Sequence, residues 1–226
     1  MTLILIYKSL FYLSLIVGLI FFSFKFKNIF NLNAHPGKRR IHKKKIPLFG
    51  GPIIAISFLA ILLLEVFEIQ KIEKIISYSI IFFIIGLIDD LKHLNFQNKL
   101  IMLIISFIIV YKDISFDGLG NYEYFGYLDF GNLRFLLNII LFLFLINAYN
   151  YADGVDGNAI LLFISSILLI GLFTNFSYYE INYIIFLLGL ILFPILIINL
   201  NLIKNYQFFL GNSGSFLLGF VLSAIL

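Results

Sequence analysis

Asn147, Asn150, Asp153 and Asp156 recur every three residues in NAYNYADGVDGNA (147–159), at the end of a long apolar run. A carboxylate or amide beside apolar surroundings costs free energy unless it has a partner or a task. On a helix, a step of three residues falls about 60° short of a full turn, so Asn147, Asn150 and Asp153 keep to one broad face. Gly154 and Gly157 then loosen the backbone and let Asp156 turn back towards the same space. A helix junction capped by Asp156 needs one polar residue, not four in register.

Three further stretches carry the same kind of chemistry. In GLIDDLKHLNFQNK (86–99), Asp89 and Asp90 close an apolar run and Lys92, His93 and Lys99 follow. Acids at a helix C-terminus oppose the macrodipole, and adjacent carboxylates repel unless a cation or proton intervenes. Neighbours on a helix point about 100° apart, so one of the pair faces a site while the other supports it. In HPGKRRIHKKKIPLFGG (35–51), charge alone would draw the segment to anionic lipid head groups. Its His35, Arg39 and His42, with a Gly-Gly entering a helix, also suit phosphate contacts. In FFLGNSGSFLLGF (208–220), Ser213 and Ser215 among glycines open a helix whose N–H groups could receive phosphate. The same residues also serve close helix packing. Carboxylates, amides, basic residues and a small-residue helix start together fit a Mg²⁺-bound diphosphate, since Mg²⁺ takes few carboxylates plus phosphate oxygens.

The elements that must position these residues are apolar helices. The chain has 226 residues, 62% of them hydrophobic and 12% charged, with a mean hydropathy of +1.05. A soluble domain carries about a quarter charged. The expected architecture is all-α, a polytopic transmembrane bundle in a single domain over 1–226. Spans are expected near 2–23, 50–69, 74–89, 99–111, 133–150, 158–173, 181–201 and 214–226. The alternation of an outer-membrane barrel is absent, and with no cysteine there is no disulfide framework. The N-terminal apolar run is too long for a signal-peptide core and lacks a small-residue cleavage site, so it reads as a first span.

If the spans alternate, eleven of the sixteen Lys and Arg fall on the side holding 24–49, 90–98, 151–157 and 202–213. The positive-inside rule makes that side cytoplasmic and the N-terminus external. The net charge of +4 therefore points to the membrane surface and not to nucleic acid. Asp89, Asp90, Asp153 and Asp156 are the only acids near that face, whereas scattered acids would mark ordinary solvated loops. Acids at span ends also argue against a transporter, which would hold them near mid-bilayer. The aromatic- and glycine-rich stretch at 113–134 reads as a short external hairpin.

In this order, the four motifs resemble those of the polyprenyl-phosphate N-acetylhexosamine-1-phosphate transferases, which include the phospho-N-acetylmuramoyl-pentapeptide transferases. The resemblance covers nearly the whole chain, and the NxxNxxDGxDG string is its most specific part. It implies a multi-pass bacterial inner-membrane enzyme with its active site on the cytoplasmic face. Such an enzyme moves a sugar 1-phosphate from a UDP-N-acetylhexosamine onto undecaprenyl phosphate, releases UMP and uses Mg²⁺ or Mn²⁺. By position, Asp89 and Asp90 would prepare the lipid phosphate for attack or form a covalent intermediate. Asn147, Asn150, Asp153 and Asp156 would line the nucleotide and metal site, with Lys99 on phosphate. The implied metal ligands are Asn150, Asp153 and Asn212, where Asn212 replaces the family's usual Asp and removes one negative charge. The family continues past the eighth span with further helices and a His-rich loop. This chain is expected to lack both, since it stops at Leu226, about 18 Å into a core of about 30 Å. A catalytically impaired homologue that binds lipid phosphate or nucleotide without turnover is the alternative expectation. The sequence leaves open the sugar, the choice of direct or two-step transfer, and the oligomeric state, a homodimer included.

Overall fold

The computed structural model describes residues 2–25, 32–34, 45–64, 70–122, 124, 126–173, 179–203 and 206–225. These are 80% helical. Eight α-helices are found among them: α1 (Thr2–Lys25), α2 (Gly50–Leu64), α3 (Gln70–Lys92), α4 (Phe96–Ile114), α5 (Arg134–Ala152), α6 (Asn158–Phe173), α7 (Tyr179–Asn199) and α8 (Gly211–Ile225). The all-α expectation holds, with each helix within a few residues of its expected range. Length and composition qualify two stretches to cross a membrane, Tyr7–Lys25 and Gly131–Ala152. Helices α2, α6, α8 and residues 185–199 are apolar but shorter. Of the eight expected spans, each has its helix, and two stretches among the described residues meet that measure.

Helix α4 shows how the bundle is oriented. Its Leu103, Phe107 and Val110 are buried, whereas Ile101, Ile105, Ile108 and Ile109 on the outer face are each more than half exposed. A helix surrounded by water would carry polar residues there; an apolar outer face on an apolar inner one suits lipid. Asn95 caps the start of α4 by accepting from Asn98 N–H at 2.9 Å.

Two small antiparallel ribbons decorate the helices. β1 (Asn33–Ala34) pairs with β2 (Ile46–Pro47). β3 (Gly118–Tyr122) pairs with β4 (Gly126–Asp129), with a register shift between Gly118 and Asn121. This second ribbon is the hairpin expected between the fourth and fifth spans. Nearby, Asp113 accepts from Lys74 at 2.5 Å and from Tyr78 at 2.6 Å. Those two hydrogen bonds, Lys74 first, hold its carboxyl below the usual carboxylate range.

Helix α8 forms the centre. Thirteen of its fifteen residues are buried, packed by α3, α5 and α2. The Phe220 ring stacks on Phe82 of α3 with centroids 4.3 Å apart, and Phe82 meets Phe142 of α5 edge-on at 5.2 Å. Small residues let the backbones approach. A Cβ on Gly86 would lie 2.5 Å from Ser213 Cα, and one on Gly219 would lie 2.7 Å from Ile146 Cα. The glycines and serines of 211–223 thus serve packing, with the bulky residues between them filling the core.

Candidate active site

The end of α3 sets the first part of the site. His93 takes a left-handed conformation (φ 50°) and its N–H bonds Asp89 O at 2.9 Å, closing the helix. The chain then reverses, and Leu94 N–H donates back to Asp89 Oδ1 at 3.0 Å. Asp89 is 2% exposed. Its Oδ2 pairs with Lys99 Nζ at 2.5 Å and accepts from Asn212 Nδ2 at 2.8 Å. Lys99, one turn into α4, also sits 5.5 Å over the Phe216 ring of α8. The buried carboxylate is therefore both paired and hydrogen-bonded, which such a group requires.

Asp90 points elsewhere. Its Oδ1 accepts from Asn212 N–H at 2.9 Å and its Oδ2 from Ser213 N–H at 3.0 Å. The two acids thus close their own helix against its dipole while Asp90 caps the positive end of α8. Gly211 makes room for this, since its φ is +77° and a Cβ there would lie 2.8 Å from Asp90 Oδ2.

Helix α5 supplies the third side. Asn150 Nδ2 donates to Asn212 Oδ1 at 2.7 Å and to Ser215 Oγ at 3.3 Å. Asp153 ends the helix, and its Oδ2 accepts from Gly211 N–H at 3.1 Å. Lys99, Asp89, Asn212, Asn150 and Ser215 form one continuous chain of polar contacts across α4, α3, α8 and α5. Asp156, beyond the turn, is exposed and accepts from Gln207 Nε2 at 3.1 Å.

A cleft of about 570 Å³ opens on these residues. That volume lies within the range of small-molecule sites. Asp90, Asp153 and Asp156 line it with the amides of Asn150, Asn212 and Gln207, while Leu48, Tyr151 and Phe209 add apolar surface. Ala34 and Ile46 also line it.

The structure sorts the sequence-derived candidates. Asp90, Asn150, Asp153, Asp156 and Asn212 meet at the cleft, and Asp89 and Lys99 support them from behind. Asn147 does not join: its Nδ2 donates to Leu143 O of its own helix at 2.7 Å. The N–H groups expected to await phosphate at the start of α8 are taken by Asp153 and Asp90. Ser213 and Ser215 are both fully buried and do not line the cleft. His35, Arg39 and His42 lie outside the described residues. Among the described residues, no three or more acid or histidine side chains gather into a metal-holding group. Gln207, Asn199 and Gly86 were missed by sequence reasoning, because a lone amide or glycine in an apolar run carries no spacing signal.

The profile of the family described as Glycosyl transferase family 4 matches residues 73–226, the part of the chain that carries α3 to α8. The chain belongs to glycosyl transferase family 4. Its matched relatives include the phospho-N-acetylmuramoyl-pentapeptide-transferase of Wolbachia pipientis wMel. That protein is 26% identical over 204 residues, covering 81% of this chain and 63% of the relative. A protein of the same name from Wolbachia sp. subsp. Drosophila simulans (strain wRi) is equally similar, with the same coverage. The chain thus spans 63% of the length of the curated relatives it matches. The resemblance carried by the four motifs holds at the level of the family, and all four contribute lining to the cleft of this family 4 member, the first through Ile46 and Leu48.

Proposed function

We propose that this family 4 chain acts at the cytoplasmic face of a bacterial inner membrane as a sugar-1-phosphate transferase. It would move an N-acetylhexosamine 1-phosphate from a UDP-sugar to undecaprenyl phosphate and release UMP. The observation that carries this reading is the convergence of Asp90, Asn150, Asp153 and Asn212, from three helices, on one cleft backed by the Lys99–Asp89 pair. The names of the relatives point to a phosphorylated muramoyl sugar as one donor class.

The donor set of the cleft suits a hard divalent ion. Its polar lining is carboxylate and amide, with three carboxylates spread along the wall and no basic side chain among the described lining. These carboxylates would repel a diphosphate unless a cation offset them. Asp153 and Asp156 are the residues that would hold Mg²⁺, with phosphate oxygens completing its shell. Asn150 and Asn212, the other two expected ligands, line the same cleft, where Asn150 Nδ2 donates to Asn212 Oδ1. Bound there, Mg²⁺ would draw negative charge from the β-phosphate and ease departure of UMP.

The chain's own part is positioning and electrostatics. Lys99, held by Asp89, places a fixed cation behind the acidic cleft. Asp90 and Asp153 fix the start of α8 so that Asn212 bridges Asp89 and Asn150. An oxygen of the lipid phosphate would attack the β-phosphorus, and the bond from that phosphorus to the bridging oxygen of UMP would break. The lipid phosphate is already anionic near neutral pH, so the step asks little of a general base.

The test is UMP release from membranes containing the chain, given undecaprenyl phosphate, a UDP-N-acetylhexosamine and MgCl₂. Release that depends on all three, and that Asp90→Asn abolishes, is the expected result. Absence of release with any donor tried would favour the second reading, ligand binding without turnover, which the uncharged Asn212 supports.

A further inference from the structure

We infer that Asn199 is a positioning residue that fixes the two walls of the cleft to each other, and that Gln207 carries this fixation to the carboxylate of Asp156. One wall is the turn from Asp153 to Asp156 after α5. The other is the segment from Gln207 to Asn212 that leads into α8. Asn199 is the last residue of α7, lines neither wall, and is 2% exposed.

Its side-chain amide is divided between the walls. Oδ1 accepts from the Gly157 N–H at the end of the first wall, and Nδ2 donates to Phe208 O of the second at 3.0 Å. A buried amide with both ends engaged is an expensive group to truncate, since it leaves two backbone groups without partners. The neighbouring turn of α7 reinforces the contact. Gly157 has φ +72°, and a Cβ there would lie 2.5 Å from Leu200 Cδ2 and 3.2 Å from Leu196 Cδ1. A side chain there would have to displace Leu200 and hold a left-handed backbone, which glycine adopts without strain.

Gln207 extends the tie into the cleft. Its Nε2 donates to Asp156 Oδ2 at 3.1 Å and to the Asn199 carbonyl at 3.4 Å. The carboxylate of Asp156 is thereby tied to the α7 end as well as to its own turn. The Lys99–Asp89–Asn212 contacts lie on other helices, so the clamp governs ligand affinity on the Asp156 side and leaves that network intact.

The test uses the full chain in detergent and rests on the transferase reading only in its choice of UMP, with MgCl₂, as the probe. Amide exchange is followed by mass spectrometry, and UMP affinity by calorimetry. Asn199→Ala is expected to speed exchange in 153–158 and 206–209 roughly tenfold or more, leaving α3 and α8 unchanged. It is also expected to weaken UMP binding by about tenfold. Gln207→Leu, at a partly exposed site that threatens the fold less, is expected to weaken UMP binding by roughly fivefold with wild-type exchange in 206–209. Unchanged exchange in Asn199→Ala overturns the clamp, and so does faster exchange spread evenly over all helices. Local loosening with unaltered UMP affinity overturns the positioning role. A wild-type chain that binds no UMP sinks the transferase reading instead, and the exchange result still decides whether Asn199 ties the walls.

Discussion

Replacing Gly86 with Ala tests the idea that the site is held by backbone contact between α3 and α8. The added Cβ would lie 2.5 Å from Ser213 Cα and 2.6 Å from the Asn212 carbonyl carbon. Carbon atoms rest at about 3.5–4.0 Å, so the helices must part by about 1 Å. No side chain can yield, because the atoms met are backbone. Overpacking of this kind costs about 1–3 kcal/mol, against a gain of about 1 kcal/mol for Ala over Gly within a helix. The Asp90 bonds to Asn212 and Ser213 N–H, at 2.9 and 3.0 Å, would stretch with the parting. The expected result is a melting temperature in detergent lower by a few degrees and loss of most UMP release. Gly189→Ala is the control, since a Cβ there meets nothing within 4 Å, and it should melt at or above the wild-type temperature. A Gly86→Ala chain as stable and active as wild type would refute the close-contact account of the site.

Three other outcomes are expected. Lys99→Met strands the buried Asp89 charge and should destabilise by about 3–5 kcal/mol, whereas adding Asp89→Asn should recover most of that without recovering activity, as a double-mutant cycle on thermal stability would reveal. Asn212→Asp places a carboxylate where Asn212 now donates to Asp89 Oδ2 at 2.8 Å. It should melt lower than wild type in EDTA and gain more from added MgCl₂, read by thermal shift without any turnover. Gly157→Ala, forced into a left-handed backbone against Leu200, should lower UMP affinity by roughly tenfold or more in calorimetry.

The helices were legible because long apolar runs broken by polar clusters fix their own boundaries. The gathering of acids was legible in part, since Asp90, Asp153 and Asp156 line one cleft while Asp89 lies behind it, paired with Lys99. What each acid does was not legible. Sequence spacing set Asp89 and Asp90 side by side, yet one pairs with Lys99 and the other caps a helix far along the chain. That division depends on how α3 meets α8, a tertiary contact that no local pattern encodes. Asn147 shows the converse failure: it shares a helical face with Asn150, but bonding to Leu143 O was equally open to it. Gln207 and Asn199 stayed hidden because their partners lie across turns and not along a repeat.

The burial of α8 has a consequence for biosynthesis. The amides that satisfy Asp90 are supplied 122 and 123 residues further along the chain. While the ribosome is still making the intervening helices, Asp90 lacks these partners. Insertion of α8 therefore brings the partners of Asp90 and of Asn150 to the cleft together.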